Sequence, residues 1–68
     1  MKSTAEKFTD VTVEAETDEA LLIDLGPAYG SAWLPKSQIC NLDGDRVEDC
    51  LGFEIDIYVP NWILKQID

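Results

Sequence analysis

Phe53-Glu54-Ile55-Asp56-Ile57-Tyr58-Val59 alternates apolar and polar residues at every step. Successive side chains of a strand point to opposite faces. Phe53, Ile55, Ile57 and Val59 therefore share one face, and Glu54, Asp56 and Tyr58 the other. One face asks for a core, and the other carries carboxylates. Pro60 ends the stretch, because it has no N–H to give to a ladder.

The same alternation starts again from Asp10, with Val11, Val13 and Ala15 facing inward and Thr12, Glu14 and Glu16 outward. Thr17-Asp18-Glu19 is turn-forming and well solvated. Ala20-Leu21-Leu22-Ile23-Asp24-Leu25 follows as a second strand, with Leu21, Ile23 and Leu25 inward and Asp24 outward. Leu22 then lies on the outer face, which must offer it some cover. Two strands joined by a short polar turn form an antiparallel hairpin. Gly26-Pro27-Ala28-Tyr29-Gly30 reads as a turn and Ser31-Ala32-Trp33-Leu34 as a short third strand. Pro35 opens a single helical turn through Ile39. The run from Asn41 to Asp49 is a polar loop with its bend at Asp43-Gly44. Asn61 is read as the cap of a short amphipathic helix through Ile67.

The expected fold is α+β. It is a four-stranded antiparallel sheet with a helical turn after the third strand and a short C-terminal helix. It forms one domain, with residues 1–7 loose. The expected core is Val11, Val13, Ala15, Leu21, Ile23, Leu25, Trp33, Phe53, Ile55, Ile57, Val59, Trp62, Ile63 and Ile67.

Sixty-eight residues make a marginal core, since so short a chain buries only about 60% of its unfolded surface. Hydrophobic residues at 46% argue against disorder all the same. The charge is the outlier: 14 acidic residues against 5 basic, no His, and a net charge of −9. Such a surface repels nucleic acid and anionic membranes and attracts basic partners. No segment reaches the ~20 apolar residues of a membrane-spanning helix. The N-terminal residues lack a signal peptide's apolar region, so the expected location is a cytosol. Cys40 and Cys50 match neither a CxxC motif nor a zinc spacing. Free thiols are the expectation in a reducing cytosol, and a disulfide between them is the alternative.

Without His there is no Ser-His or Cys-His pair in the chain. No glycine pattern suits a phosphate loop. The carboxylates fall on exposed faces, where nothing perturbs them, so the chain reads as non-enzymatic and without cofactor or resident metal. The loop holding Asp43, Asp45, Glu48 and Asp49 faintly resembles a calcium loop. Aligning Gly44 with the invariant glycine puts Ile39 and Cys50 at ligand positions, where neither fits. A solvated turn is the simpler account of it.

Glu14 and Glu16, and again Glu54 and Asp56, are i,i+2 pairs with charges about 6.8 Å apart along a strand. Like charges on one face oppose folding. A surface built only for solubility would mix both signs. A one-sign face suits a groove made for a polyanion. The candidate binding residues are therefore Glu14, Glu16, Asp24, Glu54 and Asp56, with Asp43, Asp45, Glu48 and Asp49 as a second patch. Tyr58 is the outward aromatic candidate for a partner contact.

Val11 to Ile23, Ala32-Trp33-Leu34-Pro35-Lys36-Ser37-Gln38-Ile39 and Ile57-Tyr58-Val59-Pro60-Asn61-Trp62-Ile63-Leu64 together resemble small proteins encoded by phages and mobile elements. Those carry a tryptophan-aliphatic-Pro-Lys-Ser segment and end in Val-Pro-x-Trp-Leu. The acidic stretch from Cys40 to Cys50 departs from that pattern. In size and charge the chain is similar to the anti-CRISPR members of this group, which block target-DNA binding by occupying the DNA site. The resemblance implies a monomeric DNA-mimic inhibitor in a bacterial host cytoplasm, its partner a basic protein surface such as a CRISPR effector subunit. A second class, an accessory protein of phage replication or recombination, would dock through apolar contacts around Tyr58 and Trp62.

Overall fold

The computed structural model describes residues 4–67. Five strands and one helix follow in order: β1 (Ala5–Glu16), β2 (Ala20–Asp24), β3 (Ser31–Pro35), β4 (Cys40–Asn41), β5 (Glu54–Pro60) and α1 (Asn61–Leu64). They make one antiparallel sheet in the order β3-β2-β1-β5-β4. The sheet has five strands, not four. The extra one, β4, is two residues long, too short for any periodicity to announce it. The expected helical turn after β3 is a single turn closed by the Gln38 N–H on the Pro35 carbonyl.

β1 is the axis of the sheet, paired with β2 over its second half and with β5 along most of its length. It starts at Ala5, so Ala5, Glu6 and Lys7 are strand residues opposite Pro60, Val59 and Tyr58. The rest of the expected loose N-terminus, residues 1–3, lies outside the described residues.

Two bulges reset the faces of β1. Phe8 pairs with Ile57 but Val11 with Ile55, so Thr9 and Asp10 together oppose Asp56. Asp10 takes the left-handed conformation, φ 54°, as the extra residue of one class of bulge does. Val13 then pairs with Ile23 but Ala15 with Leu22, so Glu14 is the second extra residue. Beyond it the alternation is inverted. Ala15 joins Leu22 on the outer face, and Glu16 stands opposite the fully buried Leu21 on the inner face. The sequence expectation had both the other way round.

The core gathers on the inner face from Phe8, Val11, Val13, Leu21, Ile23, Leu25, Ala32, Leu34, Ile57 and Val59. Ile39, Val47 and the α1 residues Ile63 and Leu64 complete it. Several expected core residues are elsewhere. In β3, Ala32 and Leu34 face inward and Trp33 is 52% exposed. Phe53 precedes β5, in a turn closed by its N–H on the Cys50 carbonyl, and is 65% exposed. Trp62 is exposed and Leu64 takes the core position instead. Ile55 and Ile67 are only partly buried. Asn61 is the first residue of α1 rather than its cap, with Pro60 at the cap position.

Candidate functional site

The register of β1 decides which carboxylates share a surface. Thr12 pairs with Asp24 on one side and Glu54 on the other, so those two acids flank it across three strands. Neighbouring strands lie about 4.8 Å apart, which puts the Asp24 and Glu54 backbones about 10 Å from each other. Asp10 and Asp56 lie beside this row at the first bulge, and Glu14 at the second. The outer face thus holds Asp10, Glu14, Asp24, Glu54 and Asp56 around Thr12.

Three of these acids also accept hydrogen bonds within the chain, two of them from the backbone. Asp56 Oδ1 accepts the Asp10 N–H at 2.9 Å, which satisfies the donor that the bulge turns out of the ladder. Asp24 Oδ1 accepts the Gly26 N–H at 2.9 Å and opens the turn to β3. Glu14 accepts a hydrogen bond from the Ser31 hydroxyl. None of them forms an ion pair with a described cation.

Glu16 does not belong to this face. Its Oε2 lies 2.7 Å from Lys36 Nζ and also accepts the Asp49 N–H at 3.0 Å. Lys36 is buried, two residues beyond Leu34 on the same inward parity. Its ammonium beside Glu16, aided by the Asp49 N–H, holds the Glu16 carboxyl below the ordinary carboxylate value. The adjoining Cys50 thiol is pushed up, first by burial and then by the negative charge of Glu16. Both cysteines are free thiols.

The second predicted patch, Asp43, Asp45, Glu48 and Asp49, is exposed. Its loop is closed by Asn41 Oδ1, which accepts the Asp43 and Asp45 N–H groups. Arg46 Nε lies 3.7 Å from Glu48 Oε1. Among the described residues, no three His, Cys, Asp or Glu side chains are grouped to hold a metal ion. Val47, buried in the middle of the loop, pins it to the core. Tyr58 is half-buried on the outer face, flanked by Lys7 on β1 and Cys40 on β4.

Sequence reasoning missed Asp10, a member of the acidic face, and Lys7, a cation inside β1 at the opposite end of that face. The signal for Asp10 was present. Phe8 and Val11 are three apart, a spacing that an unbroken strand cannot put on one side. Among the described residues, no helix is long and apolar enough to cross a membrane. No family model matches the chain, no curated protein is similar to it at a significant level, and no solved structure matches its fold.

Proposed function

We propose that the chain is a non-enzymatic inhibitor whose outer sheet face serves as a decoy for DNA in the basic groove of a nucleic-acid-binding protein. The observation that carries this is the set Asp10, Glu14, Asp24, Glu54 and Asp56, gathered by register on one surface, none of them ion-paired with a described cation. Five charges along the four residue steps from Asp10 to Glu14 amount to about one per 2.7 Å of strand. Duplex DNA carries one per ~1.7 Å of axis. The face therefore approaches the charge density that a Lys/Arg groove is built to meet. The resemblance to phage and mobile-element proteins directs the proposal to a CRISPR effector, inside a bacterial cell. Glu16 has no part in it, being neutralised by Lys36 on the other face.

The test is competition between this protein and target duplex for a purified CRISPR effector, at low and at high salt. Glu54→Lys combined with Asp56→Asn inverts or removes charge but keeps an acceptor for the Asp10 N–H. A decoy loses competition with added salt and loses it again in this double variant. Full competition by the double variant overturns the proposal.

A second reading, an accessory protein docking through apolar contacts, is favoured by the exposure of Trp33, Leu51, Phe53 and Trp62. Large apolar side chains are enriched at the centres of protein interfaces. It differs in predicting binding that survives salt and falls on replacement of an aromatic residue.

A further inference from the structure

The two edges of the sheet are treated differently. At the β4 edge the chain covers itself: Cys40 forms a bridge with Arg46, and the Asn41 N–H donates to the Asp45 carbonyl at 2.9 Å. At the β3 edge no described strand pairs on the outer side. The Leu25 N–H donates to Gly30 and the Lys36 N–H to Glu19, which fixes the parity of the β2–β3 ladder. Gly30, Ala32, Leu34 and Lys36 direct their backbone groups to β2. Ser31, Trp33 and Pro35 direct theirs outward. Pro35 lacks an N–H, so it breaks no bond to β2 there. The Pro35 carbonyl accepts the Gln38 N–H, so the groups left without a partner among the described residues are the N–H and carbonyl of Ser31 and of Trp33.

Sheet edges are ordinarily guarded by charges, bulges or covering segments. β3 carries no charged residue and has a regular register with β2. Its outward side chain is Trp33, half-exposed and in line with Leu22 and Ala15 across the outer face. Acids stand near both ends of β3. Glu14 and Asp24 adjoin Ser31, and the Glu19 backbone is bonded to Lys36 just past Pro35. The nearby lysine, Lys36, is already committed to Glu16.

We propose that the β3 edge accepts one further antiparallel strand from a partner protein, an extended cationic segment of the form basic-x-aliphatic-x-basic. The aliphatic residue lies opposite Trp33 and exchanges both backbone hydrogen bonds with it. The basic residues lie two positions to either side, one opposite Ser31 near Glu14 and Asp24 and the other opposite Pro35, toward the exposed Asp18 and Glu19 of the turn between β1 and β2. Charge complementarity selects this occupant over a second copy of the chain, because two copies each at −9 would bring like charges together along the seam. The proposal goes beyond the decoy function and stands on different groups, the backbone of Ser31 and Trp33.

The probe is a blocked seven-residue peptide, Thr-Lys-Val-Ile-Val-Lys-Thr, added to the full chain while amide exchange is followed by NMR. The expected result is slowing of exchange at the Ser31 and Trp33 amides by about tenfold or more at saturation, since an added strand protects the donors it pairs. N-methylation of the central isoleucine keeps charge and side chain but removes the bond to the Trp33 carbonyl, and should abolish the protection. A Glu-for-Lys peptide should not bind. Trp33→Thr should weaken binding without changing the fold. Binding of the N-methylated peptide with undiminished affinity overturns the proposal. So does peptide binding that leaves the Ser31 and Trp33 amides unprotected, or the absence of any binding. Protection of those amides in peptide-free protein that sediments as a dimer also overturns it, in favour of self-pairing. The decoy is judged separately by the Glu54→Lys, Asp56→Asn variant, whose changes lie on β5.

Discussion

Lys36 Nζ lies 2.7 Å from Glu16 Oε2, and the pair fastens three parts of the chain that are remote in sequence. Glu16 ends β1, Lys36 follows β3, and the Asp49 N–H brings the long loop to the same carboxylate. Removing one partner leaves a poorly solvated charge, whereas removing both leaves none. Lys36→Met should therefore lower the melting temperature by several degrees. Adding Glu16→Gln to Lys36→Met should restore part of the loss. Thermal unfolding of the two single variants and the double variant checks this, and strictly additive losses would contradict it.

The same pair sets a pH dependence. The Glu16 carboxyl is held below its ordinary value of 4.5, chiefly by the Lys36 hydrogen bond. A group with a depressed native pKa contributes stability that is complete above its unfolded value and lost as pH falls through the native one. The stability gap between the native chain and Glu16→Gln should be constant near neutrality. It should begin to close as pH drops past about 4.5 and vanish at lower pH. Urea midpoints of both proteins across acid pH measure the gap directly, so the other carboxylates cancel.

Cys50 offers a chemical report on this corner. Burial, and then the charge of Glu16, push its thiol up. Only the thiolate is alkylated. In a Cys40→Ser background, Cys50 should react with iodoacetamide more slowly in the native chain than in urea at the same pH. Equal rates would mean that the loop does not hold Cys50 against the core.

Much of the sheet was legible because β2 and β5 keep strict alternation: Leu21, Ile23, Ile57 and Val59 are inside, where their spacing puts them. β1 was legible as a strand but not in its faces. Each bulge adds one residue, and with a period of two a single extra residue inverts everything beyond it. That moved Glu16 from the acidic face to an ion pair with the buried Lys36 and left Asp10 on that face. β3 failed for another reason. Four residues, Ser31 to Leu34, fit either phase, and the size of Trp33 suggested burial. Leu34 fills the interior and Trp33 stays outside. The Lys36–Glu16 pair has no local signature at all, since its members are twenty positions apart and meet only through the β1-β2-β3 order.

The phase of β3 has a direct energetic test. Leu34 is fully buried, and truncating such a leucine to alanine costs ~2–5 kcal/mol through lost burial and the cavity left behind. Trp33 is half-exposed on the outer face. Trp33→Thr, which keeps a good strand former, should cost less than ~1 kcal/mol. Urea unfolding of Leu34→Ala and Trp33→Thr should separate the two clearly. The single-tryptophan chains, Trp33→Phe and Trp62→Phe, should each show red-shifted emission open to iodide quenching, because both indoles meet solvent.

The first bulge distinguishes a structural carboxylate from a functional one. Asp56 Oδ1 accepts the Asp10 N–H at 2.9 Å, and Asp10 sits at φ 54°. Asn can present the same carbonyl oxygen without the charge, so Asp56→Asn should leave stability nearly unchanged. Asp56→Ala removes the acceptor and should cost about 0.5–1.5 kcal/mol, the usual net worth of one hydrogen bond. Asp10→Gly should be tolerated, because glycine enters the left-handed region freely, while Asp10→Val should be clearly destabilising, because a β-branched residue does not. Denaturation midpoints rank the four variants. If Asp56→Asn falls as far as Asp56→Ala, the charge rather than the oxygen holds the bulge. In that case Asp56 could not be neutralised without disturbing the very surface on which Glu54 and Asp24 are displayed.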